Sequence, residues 1–197
     1  MVTGVRTGIL DRSASRRRFL TKATGLTLGA AVTALARPSL ALAAPGLPAT
    51  RELAFRSLHT GEELRAAYVR DGALDAEGLR HIHHILRDWR TGDMTEMDRG
   101  LLDLLYALRQ SLDSDAPFEV ISAYRSPKTN AKLAAGSGGV AKRSLHMRGM
   151  AIDVRLQGRR LSDLHRAALA LKGGGVGLYS KSGFIHVDTG RVRRWGR

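Results

Sequence analysis

The sequence predicts an α+β fold, with a small antiparallel β-sheet packed against helices. Three observations predict it. Two stretches, one starting near Asp75 and one following "TGDM" at 91–94, repeat apolar residues at helical spacing. Short Val- and Ile-rich runs bounded by glycine, such as "GMAIDVRL" at 149–156, have the length and composition of buried strands. Two further pairs of strand-like runs are separated only by turn residues, so they read as hairpins.

In chain order, "ELAFRSLHTGEELRAAYVRDG" at 52–72 reads as a hairpin, with His59-Thr60-Gly61-Glu62 near its turn and Asp71-Gly72 as another turn. The first helix begins near Asp75 and aligns Leu79, Ile82, Leu86 and Trp89 on one face. The second has Thr95 as its cap and Leu101, Leu104, Leu105, Leu108 and Leu112 as its buried stripe. "PFEVISAY" at 117–124 is a strand, and a short helix follows Arg125-Ser126-Pro127. The loop "AAGSGGVAKRS" is Gly-rich but is not a phosphate loop, because no Gly precedes Lys142 and no Ser or Thr directly follows it. A strand at "GMAIDVRL", a helix at "LSDLHRAALALK" capped by Ser162, and a hairpin at "GGVGLYSKSGFIHVDTG" complete the pattern. The closing "RVRRWGR" reads as a solvated tail around an anchoring Trp195.

The 197 residues, 43% hydrophobic and 25% charged, suit one globular domain plus a leader. Residues 1–43 carry that leader's marks. Arg16, Arg17 and Arg18 precede Phe19-Leu20, a mildly apolar stretch runs from Ala23 to Ala36, and Ala41-Leu42-Ala43 forms a small-x-small cleavage site. The paired arginines before Phe-Leu resemble a Tat signal, which makes the Tat export machinery a partner and the periplasm the destination. Thr24, Gly25, Thr27 and Gly29 make the apolar stretch too polar and too short for a stable membrane span. "APGLPAT" at 44–50 is a linker, and 51–197 is the folded domain. The leader holds seven basic residues and one acid, so removing its net +6 from the chain's +14 leaves +8. The basic residues are dispersed, aromatics are scarce and no nucleic-acid motif occurs, so the partner is not nucleic acid. An exported basic protein instead meets the anionic cell wall or a membrane surface.

There is no cysteine, which excludes disulfides and thiolate metal sites. Any metal must therefore be held by His, Asp or Glu. Asp153 interrupts the apolar run 150–154, and an ionised carboxylate there needs a cation or several donors. His146 lies seven residues before it. His186, in "GFIHVDTG", alternates with Ile185 and Val187 and shares a strand face with Asp188. Two imidazoles and one carboxylate are a donor set for catalytic zinc, which takes three N/O ligands and leaves one position open. A buried ion pair with an arginine is the simpler alternative for Asp153.

The stretch Ser144-Leu145-His146-Met147-Arg148-Gly149-Met150-Ala151-Ile152-Asp153 spells S-x-H-x-x-G-x-A-x-D. Together with "SAYRS" upstream and "HVD" downstream, it resembles the LAS group of zinc peptidases, which includes D-Ala-D-Ala metallopeptidases and hedgehog-like domains. "HTGE" at 59–62, "LRDWRTG" at 86–92, "LLDLL" at 101–105 and "GGVGLYSKSGFIHVDTGRVRRW" at 174–195 resemble more closely the murein endopeptidase K (YcbK-like) family. The resemblance implies a hedgehog/DD-peptidase-like fold, zinc on His146, Asp153 and His186, and peptidoglycan cross-links as substrate. It leaves open whether the bond cut is D-Ala–diaminopimelate or diaminopimelate–diaminopimelate.

Arg125, at the end of its strand, is expected to hold a substrate carboxylate or a developing oxyanion. Relatives in the wider group carry a Glu or His shortly before the last zinc histidine, whereas residues 180–185 here contain neither. Asp188 is the local substitute as general base, or else a partner that orients a zinc ligand; His59 is next in line as base. A cell-wall-binding module that keeps the fold without hydrolysis is the second function class. On the first helix, His84 and Asp88 are spaced for an i,i+4 pair, and with His81 and His83 they offer a remote second metal site.

Overall fold

The computed structural model describes residues 48–136 and 140–196. The leader at 1–43 and most of the linker lie outside the described residues, and Pro48-Ala49-Thr50 are exposed. Eight strands and four helices follow in the order β1 (Arg51–Ser57), β2 (Glu63–Arg70), β3 (Ala73–Leu74), α1 (Ala76–Ile85), α2 (Arg99–Ser111), β4 (Phe118–Ser122), α3 (Pro127–Gly136), β5 (Ala151–Leu156), α4 (Leu161–Leu171), β6 (Gly175–Tyr179), β7 (Phe184–Asp188) and β8 (Arg193–Gly196). A 3₁₀ turn, Leu145–Arg148, precedes β5. The α+β class is as expected. Among the described residues no helix is long and apolar enough to cross a membrane.

One sheet runs β3-β2-β1-β4-β5-β7-β6-β8. Its centre, β4-β5-β7-β6, is antiparallel throughout, as the sequence predicts. The sheet is larger than the sequence suggests because two parallel pairings extend it, β1 with β4 on one side and β6 with β8 on the other. The second of these corrects the reading of the C-terminus: "RRWG" is an edge strand and not a solvated tail.

The core lies where the helices cover the sheet. Leu101, Leu102, Leu105 and Leu108 of α2 are fully buried, with Phe55, Phe118, Ile152, Ile185 and Val187 among their companions in the same core. Burying each such side chain contributes about 1.5–3 kcal/mol. Caps differ from expectation in two places. α2 is capped by Asp98, whose Oδ1 accepts from the Leu101 amide at 3.0 Å, and Thr95 lies ahead of it. A carboxylate at that position satisfies an orphan amide and also complements the positive end of the helix. α4 starts at Leu161 after an extended Arg160, so Ser162 sits inside the first turn. Trp89 also falls outside its predicted helix, since α1 ends at Ile85.

Candidate metal centre

β5 and β7 are paired so that Asp153 stands directly opposite His186, and β4 and β5 so that Ser122 stands opposite Asp153. Directly opposed residues share a sheet face, so this register alone brings a carboxylate and an imidazole together. His146 arrives from the 3₁₀ turn. Its ring Nδ1 lies 2.7 Å from the Ala123 carbonyl, and its own carbonyl accepts from the Arg125 amide at 3.2 Å. Gly149 ends that turn at φ 66°, in the left-handed region, and a β-carbon there would run into the Glu96 carbonyl. The sequence needs glycine at this point to turn the chain from His146 into β5.

Three donor atoms converge on one point. His186 Nδ1 lies 2.9 Å from Asp153 Oδ1 and 3.2 Å from His146 Nε2, while His146 Nε2 lies 3.4 Å from Asp153 Oδ1. Ligands about 2.0–2.1 Å from a tetrahedral zinc stand about 3.3–3.4 Å apart, so this triangle is one face of such a site. All three residues are buried, and among the described residues theirs is the one group of three His, Asp or Glu side chains able to share a metal ion. Each imidazole has its second nitrogen fixed. The Ala123 carbonyl can only accept, so His146 carries its proton on Nδ1 and turns a lone pair on Nε2 toward the site. His186 Nε2 lies 2.9 Å from Asp188 Oδ2, which likewise frees Nδ1. Such outer hydrogen bonds set tautomer and ring orientation in metal centres.

Burial alone would raise the Asp153 carboxyl, but His146 and His186 hold it well below the usual carboxylate range. Burial likewise opposes ionisation of Asp188, and hydrogen bonds from His186, Arg193 and the Gly190 amide hold it well below that range. The His186 imidazole would be lowered by burial but is raised on balance by its two carboxylate partners. Ionic pairing with Arg125, the simpler fate for Asp153, is present only weakly: Arg125 Nη2 stands 3.9 Å from Asp153 Oδ2.

The triad forms one wall of a cleft of about 520 Å³. Arg125, Arg143 and Ser144 line it together with Tyr179, Phe184 and Trp195. Tyr179 and Phe184 stack at 4.8 Å, and the Trp195 indole donates to the Tyr179 hydroxyl at 3.0 Å, giving one side of the cleft an aromatic wall. Arg125 is held only by long contacts, to Ser122 Oγ at 3.4 Å and Asn130 Oδ1 at 3.5 Å, and its buried Nε has no hydrogen-bond partner among the described residues. Its donor capacity is therefore available to a ligand in the cleft.

The remaining expectations separate here. Asp188 is fully buried behind the His186 ring, and both its oxygens are engaged by protein donors. His59 is not in the cleft; it stacks on Trp89 at 4.0 Å and contacts the Ile121 carbonyl. His84 does not pair with Asp88. The Asp88 carboxylate is buried instead and accepts from the Arg90 and Ser126 amides, which ties the loop after α1 to the segment carrying Arg125. Sequence reasoning missed Arg193 and Trp195. The alternate glycines Gly175 and Gly177 were the available signal, since small residues in a strand mark close approach by a neighbour.

A family profile described as peptidoglycan L,D-endopeptidase MepK, within the M15 peptidases, matches residues 46–195. The peptidoglycan L,D-endopeptidase MepK of Escherichia coli (strain K12) is 40% identical over 186 residues, covering 94% of this chain and 100% of the relative. The probable peptidoglycan L,D-endopeptidase MepK of Haemophilus influenzae is 38% identical over 182 residues, or 92% and 95% of the two chains. No solved structure matches. With the profile spanning nearly all of the described domain and the relatives nearly the whole chain, the chain belongs to the peptidoglycan L,D-endopeptidase MepK family of M15 peptidases.

Proposed function

We propose that the protein is a zinc-dependent murein endopeptidase that hydrolyses peptide cross-links of peptidoglycan in the periplasm, after export by the Tat route. The observation that carries this reading is the triangle of His146 Nε2, Asp153 Oδ1 and His186 Nδ1, with edges of 2.9–3.4 Å on the wall of an open cleft. The donor set fits zinc in chemistry as well as spacing: two imidazole nitrogens and one carboxylate oxygen. The relatives' names specify an L,D bond. Of the two cross-links left open by the sequence, the diaminopimelate–diaminopimelate one joins an L centre to a D centre, so it is the bond assigned.

His146, Asp153 and His186 are the proposed ligands. Bound there, zinc supplies a Lewis acid and lowers the pKa of water to about 7. The residues of the chain do the rest. The Ala123 carbonyl and Asp188 keep both imidazoles in the ligating tautomer. Asp188 is therefore assigned as the orienting carboxylate and not as the general base, because it is fully buried and both its oxygens are already engaged by His186, Arg193 and backbone amides. Arg125, loosely held at the cleft wall, offers N–H groups to a substrate carboxylate or to the oxyanion that develops on the scissile carbonyl. Tyr179, Phe184 and Trp195 give the peptide an apolar surface to lie on.

Incubating the purified protein with each type of cross-linked muropeptide tests the assignment. Conversion of the diaminopimelate–diaminopimelate dimer to monomers, with the D-Ala–diaminopimelate dimer left intact, is expected. Binding of either dimer without conversion, by protein that carries zinc, would instead favour a non-hydrolytic cell-wall-binding module.

A further inference from the structure

Two rows of side chains cross the sheet at the metal centre. In the first, Asp153 of β5 faces His186 of β7, His186 faces Gly177 of β6, and Gly177 faces Trp195 of β8. In the second, Ala151 of β5 faces Asp188 of β7, the Gly175 amide of β6 donates to Asp188 Oδ1 at 3.2 Å, and Gly175 faces Arg193 of β8. In both rows the β6 position is glycine. The missing side chains open a path from the edge strand to the ligand strand, and β8 fills it. A β-carbon at 175 would run into Arg193 Nη1 and Asp188 Oδ2, and one at 177 would lie 2.5 Å from the Trp195 indole.

Arg193 uses this path fully. Nη1 donates to Asp188 Oδ1 at 2.9 Å and Nη2 to Asp188 Oδ2 at 2.7 Å, a two-point clamp that fixes the carboxylate plane. Trp195 lies beside His186, with centroids 5.1 Å apart, and Arg193 sits over the same indole at 4.9 Å. Among the described residues, the Asp188 oxygen that faces His186 Nε2 accepts otherwise only from Arg193 Nη2, so the clamp decides where that oxygen points.

We propose that Arg193 is a positioning residue of the metal centre, acting across the gap at Gly175 to hold Asp188, and through Asp188 to hold His186 as a ligand. This rests on the reading of His146, Asp153 and His186 as zinc ligands. The strand β8 is thereby part of the active-site machinery, although it contributes no ligand.

The test is a double-mutant cycle read in zinc affinity by competition with a chromophoric chelator, using the full chain in unaltered, R193M, D188N and R193M/D188N forms. R193M should weaken zinc binding by about ten- to thirtyfold, in the lower part of the range for outer hydrogen-bond partners of a ligand. R193K, which supplies one charge but cannot grip both oxygens, should recover part of the loss. In the D188N background, R193M should change affinity by less than about twofold, because the residue through which it acts is already altered. The cobalt-substituted R193M protein should show a shifted d–d absorption spectrum, which a purely structural edge residue would leave unchanged. Unchanged or tighter zinc binding by R193M, or a full additive loss in the double variant, would overturn the proposal while leaving the ligand reading intact. If the unaltered protein binds no zinc, both fall together. Arg193 is about one-third exposed, so the methionine variant is expected to fold; if it does not, R193K carries the same comparison.

Discussion

Changing Asp188 to Asn separates the two roles its position on β7 allows. The carboxylate accepts five hydrogen bonds: Oδ1 from the Gly190 amide at 2.8 Å, Arg193 Nη1 at 2.9 Å and the Gly175 amide at 3.2 Å, and Oδ2 from Arg193 Nη2 at 2.7 Å and His186 Nε2 at 2.9 Å. An amide nitrogen accepts none, so Asn keeps whichever side its oxygen occupies. Three donors meet at the Oδ1 position, so the oxygen belongs there and the NH₂ group turns toward His186 Nε2. That ring nitrogen must then offer a lone pair and carry its proton on Nδ1, the atom aimed at the metal. The wrong tautomer should weaken zinc binding by about ten- to a hundredfold, or roughly 1.4–2.7 kcal/mol. The metal-free fold should also lose about 1.5–3 kcal/mol for the charged hydrogen bonds removed. Zinc titration followed by turnover on a cross-linked muropeptide reads the difference. With Asp188 as orienting residue, saturating zinc restores turnover to within a few fold. A loss of two to four orders of magnitude that persists at saturating zinc is the signature of a general base and would refute the assignment.

Further outcomes are expected elsewhere in the chain. His146→Ala, Asp153→Ala and His186→Ala should each abolish stoichiometric zinc binding in metal analysis, because three protein ligands leave no redundancy. Gly149→Ala combines a left-handed backbone with a collision against the Glu96 carbonyl, so it should lower stability by more than the 1–2 kcal/mol or so of the backbone term alone and displace His146, seen as lower Tm and lost zinc. Burial would raise the Asp88 carboxyl, but hydrogen bonds from Thr129, Ser126 and Arg90 hold it below its ordinary value. Its stabilisation is thus complete above the unfolded pKa and fades as pH falls through the folded one. Denaturant melts of Asp88→Asn should show a deficit of about 1–3 kcal/mol near neutrality that shrinks below about pH 4. Replacing Arg16 and Arg17 together by Lys should stop the protein from reaching the periplasm, as fractionation would show.

That His146, Asp153 and His186 would come together was legible because the signals are local. Asp153 is a charge in an apolar run, and His146 and His186 flank glycine-marked turns, so each residue departs from what a plain strand requires. Pairing was less legible. Nothing in "RVRRW" announces a strand, since its partner β6 is reached by a parallel pairing that no hairpin turn encodes, and so Arg193 and Trp195 were read as a tail. Asp188 shows the limit of periodicity. Alternation put it on the His186 face, but only the structure shows that it is fully buried, with one oxygen against His186 Nε2 and both held by other donors. Asp88 failed for a related reason: helical spacing suggested His84, while the helix had already ended at Ile85 and the carboxylate turned inward to the Ser126 amide.

The most direct measurement is metal-dependent cleavage of a purified diaminopimelate–diaminopimelate muropeptide dimer, followed by mass spectrometry. Protein stripped by a chelator should leave the dimer intact. One equivalent of zinc should restore its conversion to two monomers with uptake of one water, and the His146→Ala protein should remain inert at the same zinc level. Cleavage that persists in stripped protein, or a zinc-loaded protein that leaves the dimer whole, would contradict the account.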